Sequence, residues 1–245
     1  MIKQYNTRGG SWFSYAGGCR VAYCIYYYPD HRDSFVGFRI IKLLNNKTTT
    51  NMFFPKMIPV KGGTYLKGNV FDPNYKSNPQ VVEDLEMSDC TVMFQEYDEF
   101  CEATGRAKPD DATWGRGERP VINVNWFDAV DYCNWLSEQQ GLIPFYIVDK
   151  QGNEIVVTDN PDPEAKYGYR LPTDTEWEYC AREGGKPVKY GNGKNEALST
   201  EINFADTSPG GINRQQTIPC RDLPPNALGF YQMSGNVWEL TNTIY

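Results

Sequence analysis

The chain has 245 residues, with 24 Lys and Arg against 31 Asp and Glu, a net charge of −7 and a pI near 4.9. The acidity argues against a nucleic-acid binder, which needs a basic face, and a single histidine, His31, excludes a metal site built from two or three histidines of one chain. No run approaches the ~18 apolar residues of a membrane span, and the seven cysteines, irregularly spaced and without a CxxC pair, form neither a disulfide framework nor a zinc site.

In chain order, the opening MIKQYNTRGG lacks the apolar core of a signal peptide. Tyr23-Cys-Ile-Tyr-Tyr-Tyr28 follows, read as a strand with Tyr23, Ile25 and Tyr27 on one face and Cys24, Tyr26 and Tyr28 on the other. Residues 45–51 read as an exposed linker, and residues 60–68 as a short hairpin or bent strand. A helix is predicted over 91–104, with Phe94, Tyr97 and Cys101 on one face and Gly105 as its stop. A second starts after Asn125, a good N-cap, turns Ala129, Val130, Cys133 and Leu136 inward, and ends at Gly141. Residues 145–157 predict two strands around a Gln-Gly-Asn turn. Thr173 and Glu176 form a capping box that opens a third helix, with Trp177, Cys180 and Ala181 inward and Gly184-Gly185 as the break. Residues 186–230 hold few regular patterns, too long a stretch for an ordinary connection.

Several of these segments carry long, ordered motifs. They include Pro59-Val-Lys-Gly-Gly-Thr-Tyr65, Pro120-Val-Ile-Asn-Val-Asn-Trp-Phe-Asp-Ala129, Tyr169-Arg-Leu-Pro-Thr-Asp-Thr-Glu-Trp-Glu-Tyr179 and Gly235-Asn-Val-Trp-Glu239. From residue 57 to 240 the chain resembles the formylglycine-generating-enzyme (sulfatase-modifying-factor) family. The resemblance implies an α+β, C-type-lectin-like fold, irregular and loop-rich. The family's closing strands stand first here, as Arg8-Gly-Gly-Ser-Trp12, Cys19-Arg-Val-Ala22 and Gly37-Phe-Arg39. The expectation is a circularly permuted domain: residues 1–43 are displaced closing strands, 44–56 a linker, and 57–245 the remainder of the same domain. Such a chain needs its two ends close together.

The resemblance also sets out what catalysis would require. The family's oxidases hold copper through two cysteines, since soft thiolates suit Cu(I). Here Ser14 stands where the first is expected, and the second has no equivalent. The related iron-dependent sulfoxide synthases need a histidine triad that one His cannot supply. The reading is therefore a chain without catalytic residues and with no required cofactor; the alternatives are a copper-dependent thiol oxidase acting on peptides, or a structural interaction module. Calcium is a further implication of the resemblance, with Asn203, Gly235, Val237 and Glu239 at matching positions and Gln232 where an asparagine is usual.

The segment 13–36 supports a binding reading. Four tyrosines in six positions suit a surface better than a strand buried on both faces, because each hydroxyl needs a partner. Outside the framework residues, every residue of the segment can be encoded by a codon ending in a pyrimidine; none is Lys, Glu, Gln, Met or Trp. That pattern resembles the variable proteins of diversity-generating retroelements. The candidate ligand-binding residues are Phe13, Ser14, Tyr15, Tyr23, Cys24, Ile25, Tyr26, Tyr27, Tyr28, His31, Asp33, Ser34, Phe35 and Val36. The expected partner is a variable macromolecule, a protein and not a nucleic acid, met as by a receptor at the cell surface or outside the cell.

Overall fold

The structure is a computed structural model. It describes residues 3–43, 54–72, 74, 77–151, 154–159 and 167–245. The expected linker and the tip of the expected Gln-Gly-Asn turn therefore lie largely outside the described residues.

Strand β1 (Tyr5–Arg8) pairs antiparallel with β2 (Cys24–Tyr27) on one side and with β12 (Trp238–Ile244) on the other. Strand β3 (Val36–Phe38) runs parallel to β12, giving the order β2-β1-β12-β3. Both ends of the chain thus belong to one sheet, and the Tyr245 amide donates to the Gln4 carbonyl at 2.9 Å.

A second sheet has the order β11-β4-β8-β5, from Tyr169–Arg170, Ile41–Leu43, Leu85–Ser88 and Met57–Val60. The expected 60–68 hairpin is divided. Its start belongs to β5, while β6 (Gly63–Lys67) pairs with β7 (Asn78–Val82). Gly62 explains the division: a Cβ there would lie 2.2 Å from the Val82 carbonyl, so the chain turns where another backbone crowds it. Strands β9 (Tyr146–Gln151) and β10 (Glu154–Asp159) pair as the sequence predicts.

The three helices start where side chains satisfy free N–H groups. Asn125 and Asp128 cap α2 (Trp126–Gln139) reciprocally, and Thr173 and Glu176 do the same for α3 (Asp174–Ala181). Helix α1 (Phe94–Thr104) begins three residues later than predicted. The Glu96 carboxyl group accepts from the Met93 amide at 2.8 Å, so the helix opens at a residue that no capping rule favours. The main core joins β3 to α1 and α2 through Phe38, Tyr97, Phe100, Trp126 and Tyr132. A second cluster gathers Trp177, Met87, Phe230 and Met233.

Between α3 and β12 the chain has no helix or strand. Buried amides order it instead. The Asn236 side chain accepts from the Ile218 amide at 2.9 Å and donates to the Ile218 carbonyl at 3.1 Å. Asn226 donates to the Cys180 carbonyl and accepts from the Leu228 and Phe230 amides. Each buried backbone group that finds such a partner avoids a penalty of about 1–3 kcal/mol.

Two buried arginines tie the layers together. Arg39, just after β3, binds Glu239 of β12 through Nε at 2.5 Å and Nη2 at 2.7 Å, and Trp177 Nε1 donates to the same carboxylate at 2.7 Å. Arg8 of β1 pairs with Asp174 and lies 3.1 Å from Glu178, both on α3. Removing one partner of a buried pair strands a charge, at a cost of about 3–5 kcal/mol. Arg39→Met is expected to lower unfolding stability by that amount in urea titration, and the Arg39→Met, Glu239→Leu double variant by much less than twice as much; additive losses would contradict the pairing.

Glu96 carries a second prediction. Burial raises its carboxyl from an ordinary 4.5 to about 8, against the lowering effect of the Met93 amide. The native state keeps a proton that the unfolded chain releases, so stability is highest below pH 4.5 and falls as pH rises towards 8. Glu96→Gln is expected to remove a decline of roughly 3–4 kcal/mol between pH 5 and 8. An unchanged slope in pH-resolved denaturation would contradict the assignment.

Candidate functional site

The segment between β1 and β3 is pinned at its backbone. Gly9 and Gly10 turn out of β1 with φ of +94° and +74°. A Cβ on Gly10 would meet Cys19 Sγ at 2.7 Å, so only glycine fits the turn. The Trp12 amide donates to the Asn236 carbonyl at 3.0 Å, and Trp12 Nε1 reaches the Ser34 carbonyl at 3.2 Å. Ala16–Cys19 form a single 3₁₀ turn that buries Cys19. Val21 is buried, and its amide donates to the Lys189 carbonyl. Downstream, the Arg32 guanidinium holds Asp128 at the start of α2 at 2.8 Å, and the Trp126 and Asn123 amides donate to the Pro29 and Asp33 carbonyls.

The residues between these anchors divide into three sets. Phe13, Tyr15, Tyr23, Cys24, Tyr26 and Tyr28 are exposed; Phe13 is 67% and Tyr15 69% accessible. Ser14, Ile25, Tyr27, His31, Asp33, Ser34 and Phe35 are half-buried. Ile25, Tyr27 and Phe35 pack against the main core, and Tyr27 stacks on His31 at 4.1 Å. Ser14 Oγ lies 3.2 Å from Ser11 Oγ, and the Asp33 carboxylate accepts from the Ser34 amide at 2.7 Å. Val36 is the correction. It is fully buried in β3 opposite Trp238, so it belongs to the core and not to the exposed face.

Strand β2 is an edge strand, which accounts for its two faces. One side of the strand covers the core through Ile25 and Tyr27; the other leaves Cys24 and Tyr26 outward. The aromatic surface also extends beyond residues 13–36. Tyr26 stacks on Tyr245 at 4.0 Å, Tyr23 lies 6.1 Å from Trp238, and Trp12 meets Trp114 edge-on at 5.2 Å. Phe13 stacks loosely on Phe35 at 6.5 Å. Sequence reading missed Trp114 and Tyr245, since neither lies near the Tyr-rich segment in the chain and only the sheet brings Tyr245 alongside it.

A cleft of about 510 Å³ opens beside Arg32, lined by Tyr97, Arg106, Phe127, Asp128 and Val148 among others. Its guanidinium groups are already engaged: Arg106 pairs with Asp128 at 3.0 Å and with Asp131, and Arg32 pairs with Asp128.

The oxidase requirements fall on this same segment. Cys19 is fully buried, and burial pushes its thiol up to about 12. Burial also raises the exposed-edge thiol of Cys24, partly offset by Arg8. Copper needs thiolates, and these surroundings favour thiols.

The calcium set does not fit a dication. Asn203 and Gly235 do meet, through an isolated bridge. The only carboxylate, Glu239, is fully buried and bound by Arg39 and Trp177, so its charge is already neutralised. The Gly235 carbonyl accepts from the Val237 amide at 2.9 Å. What remains is neutral amide oxygen from Asn203 and Gln232, and calcium affinity depends on anionic ligands. Among the described residues no cluster of three His, Cys, Asp or Glu is placed to hold a metal. The melting temperature is expected to stay within about 1 °C on addition of EDTA or millimolar calcium, measured by scanning calorimetry; a fall of several degrees with EDTA would restore the calcium reading.

Comparison with known proteins adds a family. The family model for sulfatase-modifying factor enzyme 1-like domains matches residues 43–245. The chain is similar to chaperone protein LppX of Paenibacillus barcinonensis, 36% identical over 142 residues, which cover 50% of this chain and 51% of LppX. It is similar to the formylglycine-generating enzyme of Mus musculus, 31% identical over 141 residues, which cover 55% of this chain and 30% of the enzyme. The matched region thus spans about half of LppX and about a third of the enzyme. Among solved structures, Treponema denticola variable protein 1 aligns at 22% identity and a TM-score of 0.47, over 71% of this chain and 68% of that one. No helix among the described residues is long and apolar enough to cross a membrane.

Proposed function

The chain belongs to the sulfatase-modifying factor enzyme 1-like family, and on that premise we propose that it is a non-catalytic member whose C-type-lectin-like domain displays a diversified, Tyr-rich surface to a protein ligand. The observation that carries the reading is the division of labour within residues 13–36. Framework residues Trp12, Cys19, Val21 and Arg32 hold the backbone, while Phe13, Tyr15, Tyr23, Tyr26 and Tyr28 stand outward from it. A surface can vary without unfolding the protein only if its side chains add little to the core.

Tyrosine suits the task. It offers a large contact area, few torsions to freeze and a polar tip. The binding energy would come from burying a few aromatic anchors, with Ser14, Asp33 and Ser34 adjusting the polar fit at the rim. Trp114 and Tyr245 would extend the contact as fixed neighbours. In this reading the contact would be made outside the cell or at its surface.

The oxidase alternative asks for two accessible thiolates, and the serine at position 14 together with the buried Cys19 speaks against it. Copper uptake with oxygen consumption on a cysteine peptide would revive it.

Replacing Phe13, Tyr15, Tyr23, Tyr26 and Tyr28 together by Ser is expected to shift the melting temperature by less than about 5 °C, since exposed substitutions each stay within about 0.5 kcal/mol. Val36→Ser alone is expected to lower it more. Collapse of the five-fold variant would make the tyrosines structural. For any protein ligand captured by the wild-type chain, Tyr23, Tyr26 and Tyr28 changed together to Ala are expected to cost at least about 100-fold in affinity; unchanged affinity would overturn the proposal.

A further inference from the structure

Two cysteines far from the aromatic surface meet in the interior. Cys90, just after β8, and Cys220, in the stretch between α3 and β12, share a buried cluster with Met93. The Cys220 thiol is the foremost influence on the Cys90 thiol, holding it well above its ordinary value. Cys220 Sγ also lies 3.2 Å from Thr91 Oγ1, next door to Cys90. Both are free thiols in the structure.

The neighbouring residues hold the two backbones in this alignment independently of sulfur. Arg221 grips Asp89 through two hydrogen bonds, at 3.0 Å from Nε and 2.8 Å from Nη2. The Tyr231 amide donates to the Asp89 carbonyl at 2.7 Å, and the Cys220 amide to the Glu118 carbonyl at 2.8 Å. An ion pair thus links the residues next to the two cysteines, Asp89 beside Cys90 and Arg221 beside Cys220. A buried cysteine usually serves as a small apolar residue. Two that share one buried cluster, on segments already tied by an ion pair, need no large backbone movement to bond.

We propose that Cys90 and Cys220 are a disulfide-forming pair, joined on exposure to a low-molecular-weight disulfide, and that the bond staples the irregular stretch between α3 and β12 to the sheet. One cysteine thiolate attacks the small disulfide, forming a mixed disulfide and releasing one small thiolate. The second cysteine thiolate then attacks the protein sulfur of that mixed disulfide and releases the other. Two protein thiols are oxidised, one small disulfide is reduced to two thiols, and the protons pass to the released thiolates. The neighbouring Cys220 thiol and burial together raise the Cys90 thiol, so the reaction is slow in the closed protein. Once formed, the bond closes a loop from residue 90 to residue 220, and long loops give the largest restriction of the unfolded chain. The pair is independent of the ligand-binding proposal, which uses neither cysteine.

The test uses the whole chain with Cys24→Ser, which removes the one exposed thiol. The protein is incubated with oxidised glutathione, its remaining thiols are alkylated in denaturant, and its peptides are mapped by mass spectrometry. The expected result is a cross-linked peptide joining Cys90 to Cys220, with Cys19, Cys101, Cys133 and Cys180 alkylated. The melting temperature should rise on the order of 10 °C and return on reduction. Adding Cys90→Ala or Cys220→Ala should abolish the rise. Alkylation of all six remaining cysteines after prolonged oxidation, or a cross-link between any other pair, would overturn the proposal.

Discussion

The structure depends on a buried ion pair between residues 200 positions apart, Arg39 and Glu239. It fastens β3 to β12, and Trp177 joins α3 to the same carboxylate. Arg8 does the equivalent work on the other side of β12, binding β1 to α3. The segment 13–36 leaves β1 and returns through β3, so both its ends are held by charges that water cannot screen. A segment suspended between two such clamps can change its outward residues with little effect on the sheet below. The same pair accounts for the loss of a calcium reading, because Arg39 supplies to Glu239 the positive charge that a cation would otherwise bring.

The parts of the fold that local chemistry decides were legible in the sequence. Asn125 and Thr173 announced α2 and α3, because a cap and its reciprocal acid three residues on form one local unit. The start of α1 was not legible, because Met93 is no capping residue and Glu96 does the capping alone. The 60–68 stretch was read as one unit, yet its halves serve different sheets; the cause is the close approach of the Val82 carbonyl to Gly62, a contact between distant residues.

The candidate surface was legible in the same uneven way. Alternation correctly separated Cys24 and Tyr26 from Ile25 and Tyr27, but it could not tell which side would face water. Position along the chain placed Val36 in the variable set, while its pairing with Trp238 puts it in the core. Trp114 and Tyr245 join the surface through contacts that only the folded sheet and loops create. Family motifs identified Gly37-Phe-Arg39 and Gly235-Asn-Val-Trp-Glu239 separately, but the bond between Arg39 and Glu239 became visible only in three dimensions.

The central claim concerns which positions are free to vary, and deep sequencing of this gene and its sister copies within one population tests it most directly. The account predicts that substitutions concentrate at the codons for Phe13, Tyr15, Tyr23, Cys24, Tyr26 and Tyr28. They should spare Cys19, Val21, Arg32, Gly37 and Arg39, and leave an apolar residue at Val36. Copies identical from Tyr23 to Tyr28, or changes spread evenly along the chain, would contradict it.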